Sequence, residues 1–197
     1  MTGLVGVLAA VPPWLLLLLV FMLPALEAST LLGLVVPGET AVLLGGVFAH
    51  QGRLPLAAVM IAAVLGAVVG DNVGYVLGAR LGPRLLTRVT GRAATRLQRA
   101  RSFVQRFGAP AVFLGRWVAV LRALVPSVAG GSGLPYRSFA VYNLAGGAVW
   151  GVAVAGLGYV AATAYGVAAH ALGLAGAAVV LVLAVAAVAG AVWAHRR

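Results

Sequence analysis

The chain contains no cysteine and no lysine, and only three of its 197 residues are acidic. Without cysteine, the chain has no disulfide, no thiolate nucleophile and no thiolate metal site. Charged residues make up 9% of the sequence and hydrophobic residues 63%, with a mean hydropathy of +1.09. Because a soluble globular domain carries about 25% charged residues, this composition predicts an all-α, multi-pass membrane protein.

Positive charge is concentrated in one part of the chain. All fourteen basic residues are arginine, and eight of them lie between Arg80 and Arg106, with two more at Arg196 and Arg197. Such an excess beside apolar spans is typical of the cytoplasmic loops of inner-membrane proteins. We therefore predict a bacterial inner-membrane protein with a cytoplasmic C-terminus, and no nucleic-acid partner despite the net charge of +11.

The hydrophobic pattern predicts a single membrane domain over residues 1–197, divided into three parts. Residues 1–79 hold a first membrane helix, a re-entrant helical hairpin at about 27–48 and a span. Residues 80–108 form a basic amphipathic cytoplasmic segment, broken near Gly91. Residues 109–197 hold a second re-entrant hairpin at about 109–134 and two spans, Pro135–Tyr165 and Ala168–Ala194.

Two carboxylates interrupt the first apolar region. Glu27 and Glu39 are embedded in hydrophobic sequence, and a charge at the centre of a membrane helix costs about 2.5 kcal/mol or more. Pro37 and Gly38 break the helix between them, because proline removes a backbone donor and clashes with the preceding turn. The stretch therefore predicts a helix–turn–helix whose carboxylates face protein or water.

A second apolar region carries the opposite charge. Arg116 precedes Pro126 by ten residues, just as Glu27 precedes Pro37 by ten. Two such hairpins entering from opposite faces would form an inverted repeat of the kind found in transporters, with carboxylates meeting guanidiniums where the tips meet. The predicted hairpin tips are Pro37 and Gly38 in the first hairpin, and Pro126, Ser127, Gly130 and Gly131 in the second.

Each charged residue has a functional and a structural interpretation. For Arg116 and Arg122 the functional one is phosphate recognition, since the planar guanidinium fork fits phosphate oxygens; the alternative is a structural ion pair with Glu27 or Glu39. For the two glutamates the alternatives are proton coupling and a permanent salt bridge. The supporting polar residues, interpreted as braces, packing residues or lining of a path, are Asp71, Asn72, Tyr75 and Asn143.

The order and spacing of these residues resemble a known family. Glu27, Pro37-Gly38-Glu39, Gly70-Asp71-x-x-Gly-Tyr75, Phe113-x-x-Arg116, Arg122 and Phe139-x-x-x-Asn143 are similar to the DedA family, also called the SNARE-associated or VTT-domain superfamily. The resemblance covers about residues 15–190. It implies two opposed re-entrant hairpins, a function linked to the proton-motive force, and translocation of phospholipids or undecaprenyl phosphate. It also implies essential acids at Glu27 and Glu39 and essential arginines at Arg116 and Arg122.

We therefore predict a flippase- or scramblase-like transporter that moves a phosphate-bearing lipid, an anionic phospholipid or a polyprenyl phosphate, together with protons. A proton-coupled small-ion antiporter is the alternative, and it would need no phosphate. We expect no enzyme activity, because Asp71 is the only aspartate and no Ser–His pair is placed for acyl transfer. No cofactor or metal is expected, and homo-oligomerisation remains open.

Overall fold

Helices account for all the regular secondary structure of the described residues. A computed structural model describes residues 11–29, 38–86 and 91–172. Its helices are α1 (Pro13–Ser29), α2 (Gly38–His50), α3 (Leu56–Leu86), α4 (Gly91–Phe107), α5 (Pro110–Gly115), α6 (Ala119–Gly131) and α7 (Tyr136–Leu172). The all-α prediction is confirmed for these residues. Pro37 and nearly all of the predicted span Ala168–Ala194 lie outside them.

Two of the described helices are long and apolar enough to cross a membrane, over Leu56–Leu81 in α3 and Tyr136–Ala162 in α7. At 1.5 Å per residue, the 31 residues of α3 extend roughly 46 Å. A hydrocarbon core is about 30 Å thick, so α3 is long enough to reach beyond it at one end or both. The other apolar segments, Pro13–Glu27 and Val120–Gly131, are shorter.

The first predicted hairpin has different boundaries in the structure. Helix α1 continues without a break from Pro13 through Pro24 and Glu27 to Ser29, and α2 begins at Gly38. Glu27 therefore lies near the end of one helix instead of at the start of a hairpin. Helices α1 and α2 contact each other and are the candidates for the two arms of the predicted hairpin, so the predicted first membrane helix supplies one of them.

In the region of the second predicted hairpin, the chain turns at a different place from the one predicted. The chain leaves α5 at Gly115, and the N–H groups of Trp117 and Val118 donate to carbonyls three residues back, at 3.3 and 3.1 Å. Val118 is extended, with φ −119° and ψ 114°, and this residue redirects the chain into α6. The bend thus falls at Arg116–Val118, nearer the start of the region than predicted.

Pro126, Ser127, Gly130 and Gly131 are consequently not a hairpin tip. All four lie within helix α6, and Pro126 is buried inside it. Proline removes one hydrogen bond from a helix, but neighbouring helices can compensate for such a loss in a membrane protein. Close packing of α6 against α3 keeps this segment helical, so a Pro-Ser pair in apolar sequence did not mark the turn.

The helices pack in a crossed arrangement. Each long helix packs against a short helix from its own half of the chain, α1 against α3 and α5 against α7, and α3 also contacts α2. Each also contacts a short helix from the other half, α6 against α3 and α2 against α7, and the two long helices contact each other. The described residues therefore form one interlocked bundle, with charged side chains near its centre.

Backbones come very close at the two crossings between halves. A Cβ added to Gly46 of α2 would overlap the carbonyl oxygen of Ala155, and one added to Gly158 of α7 would overlap that of Leu43. Where α3 crosses α6, Gly78 faces the Ser127 carbonyl and Gly130 faces the Tyr75 carbonyl in the same way. Small residues permit such close approach between membrane helices.

Candidate functional site

The bundle brings together all three acidic residues of the chain and the two arginines of its second apolar region. Arg122 pairs with Glu27 and Glu39, and Arg116 pairs with Asp71. The five residues come from α1, α2, α3, α6 and the turn before α6. With every group ionised, the cluster holds three negative and two positive charges.

Arg122 is shared between the two glutamates of the first half. Its Nη2 donates to Glu27 Oε1 in a close ion pair, and its Nη1 donates to Glu39 Oε2 at 3.4 Å. The Arg122 side chain is 18% exposed and that of Glu39 is 56% exposed. Glu39 is therefore the more weakly held and more accessible of the two partners.

Glu27 also contacts the backbone of α2. Its Oε2 accepts a hydrogen bond of 3.0 Å from the N–H of Gly38, the first residue of that helix. The first N–H groups of a helix lack intrahelical partners, and a carboxylate near a helix N-terminus is favourable. One carboxylate therefore binds both Arg122 on α6 and the start of α2.

An aromatic ring completes the surroundings of Arg122. The guanidinium carbon lies 5.6 Å from the centre of the Trp150 ring, and Trp150 on α7 is buried. A cation over the face of tryptophan is attracted by about 0.5–2 kcal/mol, depending on solvent exposure. From the sequence alone, Trp150 is interpreted as a packing, interfacial or path-lining residue, and no spacing signal connects it to Arg122.

Arg116 occupies a more enclosed position. Its side chain is only 6% exposed, and Nη2 donates both to Asp71 Oδ2 in a close ion pair and to Asn143 Oδ1 at 2.8 Å. Asn143 is fully buried and its Nδ2 donates to the carbonyl oxygen of Val68 at 3.2 Å. Arg116 thereby joins α3 to α7, and its partner is Asp71, not Glu27 or Glu39.

The remaining supporting residues, Asn72 and Tyr75, bind elsewhere. Asn72 donates to the Val68 carbonyl at 2.7 Å and accepts from the Tyr136 hydroxyl at 2.9 Å. The Tyr75 hydroxyl donates to the Leu134 carbonyl, and its ring stacks on Phe139 at 4.4 Å. These contacts attach the turn between α6 and α7 to α3, and they meet the Arg116 network at the Val68 carbonyl, which accepts from both Asn72 and Asn143.

A small cavity lies among the charged side chains. Its volume is about 30 Å³, and it is lined by Pro24, Glu27, Ala67, Asp71, Val112, Arg116, Arg122, Ala123, Val125, Pro126 and Trp150. Since one water needs about 10–15 Å³ on this measure, the space suits about two waters. Binding of a phosphate group therefore requires the surrounding side chains to move apart.

The cluster contains two guanidiniums, which can bind an anion, and three carboxylates, which can bind a proton. Within the described residues, no group of three or more His, Asp or Glu side chains is placed to hold a metal ion. Arg116 Nε is buried and has no hydrogen-bond partner among these residues. Both arginines keep their positive charge. The cluster can therefore support exchange of the oxygens that accept from them, and binding and release of protons by the carboxylates.

Comparison with known proteins gives the same family as the sequence motifs. The family model of the VTT domain matches residues 36–160, which is more than half of the chain. The membrane protein slr0232 of Synechocystis is 41% identical over 134 residues, covering 64% of this chain and 60% of that protein. Two inner membrane proteins of Escherichia coli K12 also match: YghB at 30% identity over 137 residues and YohD at 33% over 132 residues.

The match to YghB covers 68% of this chain and 62% of YghB. The match to YohD covers 67% of this chain and 68% of YohD. The chain thus aligns with 60–68% of the length of these curated relatives. No solved structure matches it. The domain match, the identity to inner membrane proteins and the membrane-capable helices lead to one conclusion: the chain belongs to the DedA family of VTT-domain membrane proteins.

Proposed function

We propose that this protein moves a phosphate-bearing lipid across the bacterial inner membrane, with Arg122 as the residue that exchanges an internal carboxylate for the lipid phosphate. One observation carries the proposal: a partly exposed guanidinium at the centre of a membrane bundle is shared by two carboxylates. Phosphate and carboxylate oxygens bind guanidinium in the same forked geometry. A lipid phosphate can therefore replace Glu39, which is held at 3.4 Å.

The proposed architecture is an inverted repeat in which α1, α2 and α3 correspond to α5, α6 and α7. The crossed packing supports it, because α1–α3 corresponds to α5–α7 and α2–α7 to α6–α3. The close crossing of α2 with α7 and that of α6 with α3 use corresponding residues. Contacting positions are three residues apart in every helix: Leu43 and Gly46 match Ser127 and Gly130, while Ala155 and Gly158 match Tyr75 and Gly78.

The proposed hairpins are re-entrant. Helix α1 has 17 residues and α6 has 13, so they extend roughly 25 and 20 Å, less than a hydrocarbon core of about 30 Å. Two short arms that meet inside the membrane leave a thin, polar barrier between the leaflets. The headgroup crosses there while the hydrocarbon tails remain in lipid.

Charge balance links the lipid to protons in this proposal. Three carboxylates and two guanidiniums carry one excess negative charge when all are ionised. An incoming phosphate adds more negative charge, and like charges at close range disfavour ionisation. We therefore propose that a proton binds a displaced glutamate as the phosphate binds Arg122, which makes Glu27 and Glu39 the coupling groups.

The proposal is tested by lipid movement in proteoliposomes. Fluorescent phosphatidylglycerol and a fluorescent polyprenyl phosphate are supplied separately, and the fraction accessible to an external quencher is followed with time. For Arg122→Gln we expect transbilayer movement to fall to the protein-free rate. Arg122→Lys keeps the charge but loses the planar fork, so we expect an intermediate rate. Arg137→Gln removes an exposed arginine outside the cluster and serves as the matched control.

Wild-type movement of both lipids by Arg122→Gln, with the fold intact, contradicts the proposal. The third carboxylate favours the alternative of small-ion antiport, because it leaves one acid more than the arginines can neutralise. Cation-dependent proton flux in the same vesicles, measured with an internal pH dye and insensitive to Arg122→Gln, supports that alternative instead.

A further inference from the structure

Helix α4 has two faces of different chemistry. Ala100 and Val104 are buried and pack in the core that includes Val112, Leu124 and Val128. This packing determines which side of α4 faces away from the bundle. The apolar face of α4 is therefore already occupied by protein, and only its other sides are free to meet a partner.

An arginine stripe runs along one flank of the exposed surface. Arg96, Arg99 and Arg106 are all exposed. With Phe103 they have spacings of three, four and three residues, which place side chains on one side of a helix. The opposite exposed side is neutral, with Gln98, Ser102 and Gln105, and Arg101 lies on the other flank. We call Arg96, Arg99, Phe103 and Arg106 the basic stripe.

The chain has no acidic side chain to neutralise this stripe. Its only acidic residues are Glu27, Glu39 and Asp71, and all three are bound to Arg116 or Arg122. The positive charge of the stripe must therefore be balanced from outside the chain. Charge complementarity calls for an anionic partner that is always present beside a membrane helix bundle.

Aromatic rings beside the stripe indicate where that partner lies. The rings of Phe103 and Phe107 are 4.8 Å apart, and the Arg106 guanidinium lies 5.4 Å from the centre of the Phe107 ring. Phe107 is 40% exposed, whereas Phe103 is partly buried against the core beneath α4. Basic residues next to aromatic ones are typical of helices at the boundary between headgroups and acyl chains.

We propose that the basic stripe of α4 is a binding surface for anionic phospholipid headgroups of the leaflet next to it. The arginines contact headgroup phosphates, and the exposed Phe107 ring reaches the acyl boundary. This surface is separate from the Arg122 site and stays in place when the transported lipid is absent. It gathers anionic lipid around the protein without itself moving lipid.

The test measures which lipids border the full-length protein. Wild-type protein is reconstituted in phosphatidylcholine, and spin-labelled phosphatidylglycerol or spin-labelled phosphatidylcholine is added as a trace probe. Electron spin resonance gives the fraction of each probe immobilised at the protein surface. We expect phosphatidylglycerol to be enriched, and the enrichment to fall as salt is raised, because surface charges are screened over about 10 Å at 0.1 M.

Single substitutions locate the effect on the helix. Arg99→Gln lies in the stripe and Arg101→Gln lies outside it, so the two variants change the net charge equally. We expect Arg99→Gln to reduce the preference by up to about fivefold, the contribution of one arginine near an anionic surface. Arg101→Gln should change it much less. The triple variant Arg96→Lys, Arg99→Lys and Arg106→Lys keeps the charge and should keep the preference.

Equal effects of Arg99→Gln and Arg101→Gln would overturn the proposal, because net charge alone would then explain the preference. So would a wild-type preference that salt does not change. Neither readout depends on transport, and a protein that moves no lipid can still show the stripe-dependent preference. Failure here is therefore distinguishable from failure of the transport proposal.

Discussion

Arg116 and Arg122 have the same chemistry and very different surroundings. Arg116 is 6% exposed, and buried Asp71 and Asn143 hold it. Arg122 is three times as exposed, and one of its two acids is 56% exposed. We interpret Arg116 as an arginine whose partners stay in place, and Arg122 as one whose acidic partner can be exchanged. The two residues therefore respond differently when a partner is removed.

Asp71→Asn should destabilise the protein strongly. Removing one partner of a buried ion pair leaves an uncompensated charge, at a cost of about 3–5 kcal/mol. Thermal unfolding in detergent, followed by circular dichroism, measures the change. Glu39→Gln is the matched control, because an exposed ion pair contributes at most about 1 kcal/mol. Equal losses of stability in the two variants would show that Arg116 is not fixed by Asp71.

The charged residues could be identified from the sequence, but their partners could not. A charge in apolar sequence attracts notice because it is costly in hydrocarbon. Arg116 and Asp71 are 45 residues apart, and Arg122 and Glu27 are 95 apart. Only tertiary packing determines such pairs. The pairing of Arg116 with Asp71, and the ring of Trp150 beside Arg122, therefore required coordinates.

At the level of helices, the glycine crossings hold the two halves together. Gly158→Ala should destabilise the bundle, because its Cβ overlaps the Leu43 carbonyl and neither backbone can move away cheaply. We expect a lower unfolding temperature and less folded protein in detergent by size-exclusion chromatography. Gly156→Ala is the matched control in the same helix, since a Cβ there meets nothing within 4 Å.

Unchanged stability of Gly158→Ala would mean that α2 and α7 do not cross as described. For Gly156→Ala we expect no loss, and alanine has a higher helix propensity than glycine by about 1 kcal/mol. The comparison separates the effect of backbone approach from that of glycine itself.

Helix boundaries were the least predictable feature of the elements. Pro24 and Pro126 both lie inside helices, although proline commonly ends them. The actual second turn contains Arg116, Trp117 and Val118, none of which is a turn-forming residue. In a membrane bundle, close packing against neighbouring helices decides where a helix continues, and local propensity has little influence.

For the whole molecule, the proposed inverted repeat makes a prediction about topology. The end of the first hairpin, at Gln51, and the end of the second, at Ser132, should face opposite sides of the membrane. Because the natural chain has no cysteine, single variants Gln51→Cys and Ser132→Cys carry the only thiols. In intact spheroplasts, a membrane-impermeant maleimide should label Gln51→Cys, whereas Ser132→Cys should require permeabilisation.

Ser102→Cys on exposed α4 is a further control, and it should react like Ser132→Cys. Labelling of Gln51→Cys and Ser132→Cys from the same side contradicts opposed hairpins. The charge distribution leads to the same expectation, since Arg53 lies near the first end and Arg137 near the second, with the eight arginines of residues 80–106 on the second side.

Crossed packing has a mechanical consequence. Helices α1 and α6 both pack on α3, and α2 and α5 both pack on α7. The bundle therefore consists of two interleaved groups of helices, one around each long helix. If one group slides past the other, α1 moves relative to α2, and α5 moves relative to α6. The bonds from Arg122 to Glu39, from Glu27 to Gly38 and from Arg116 to Asp71 all bridge that sliding plane. In the proposed mechanism, the exchange of one carboxylate oxygen at Arg122 therefore breaks a bond between these two groups of helices.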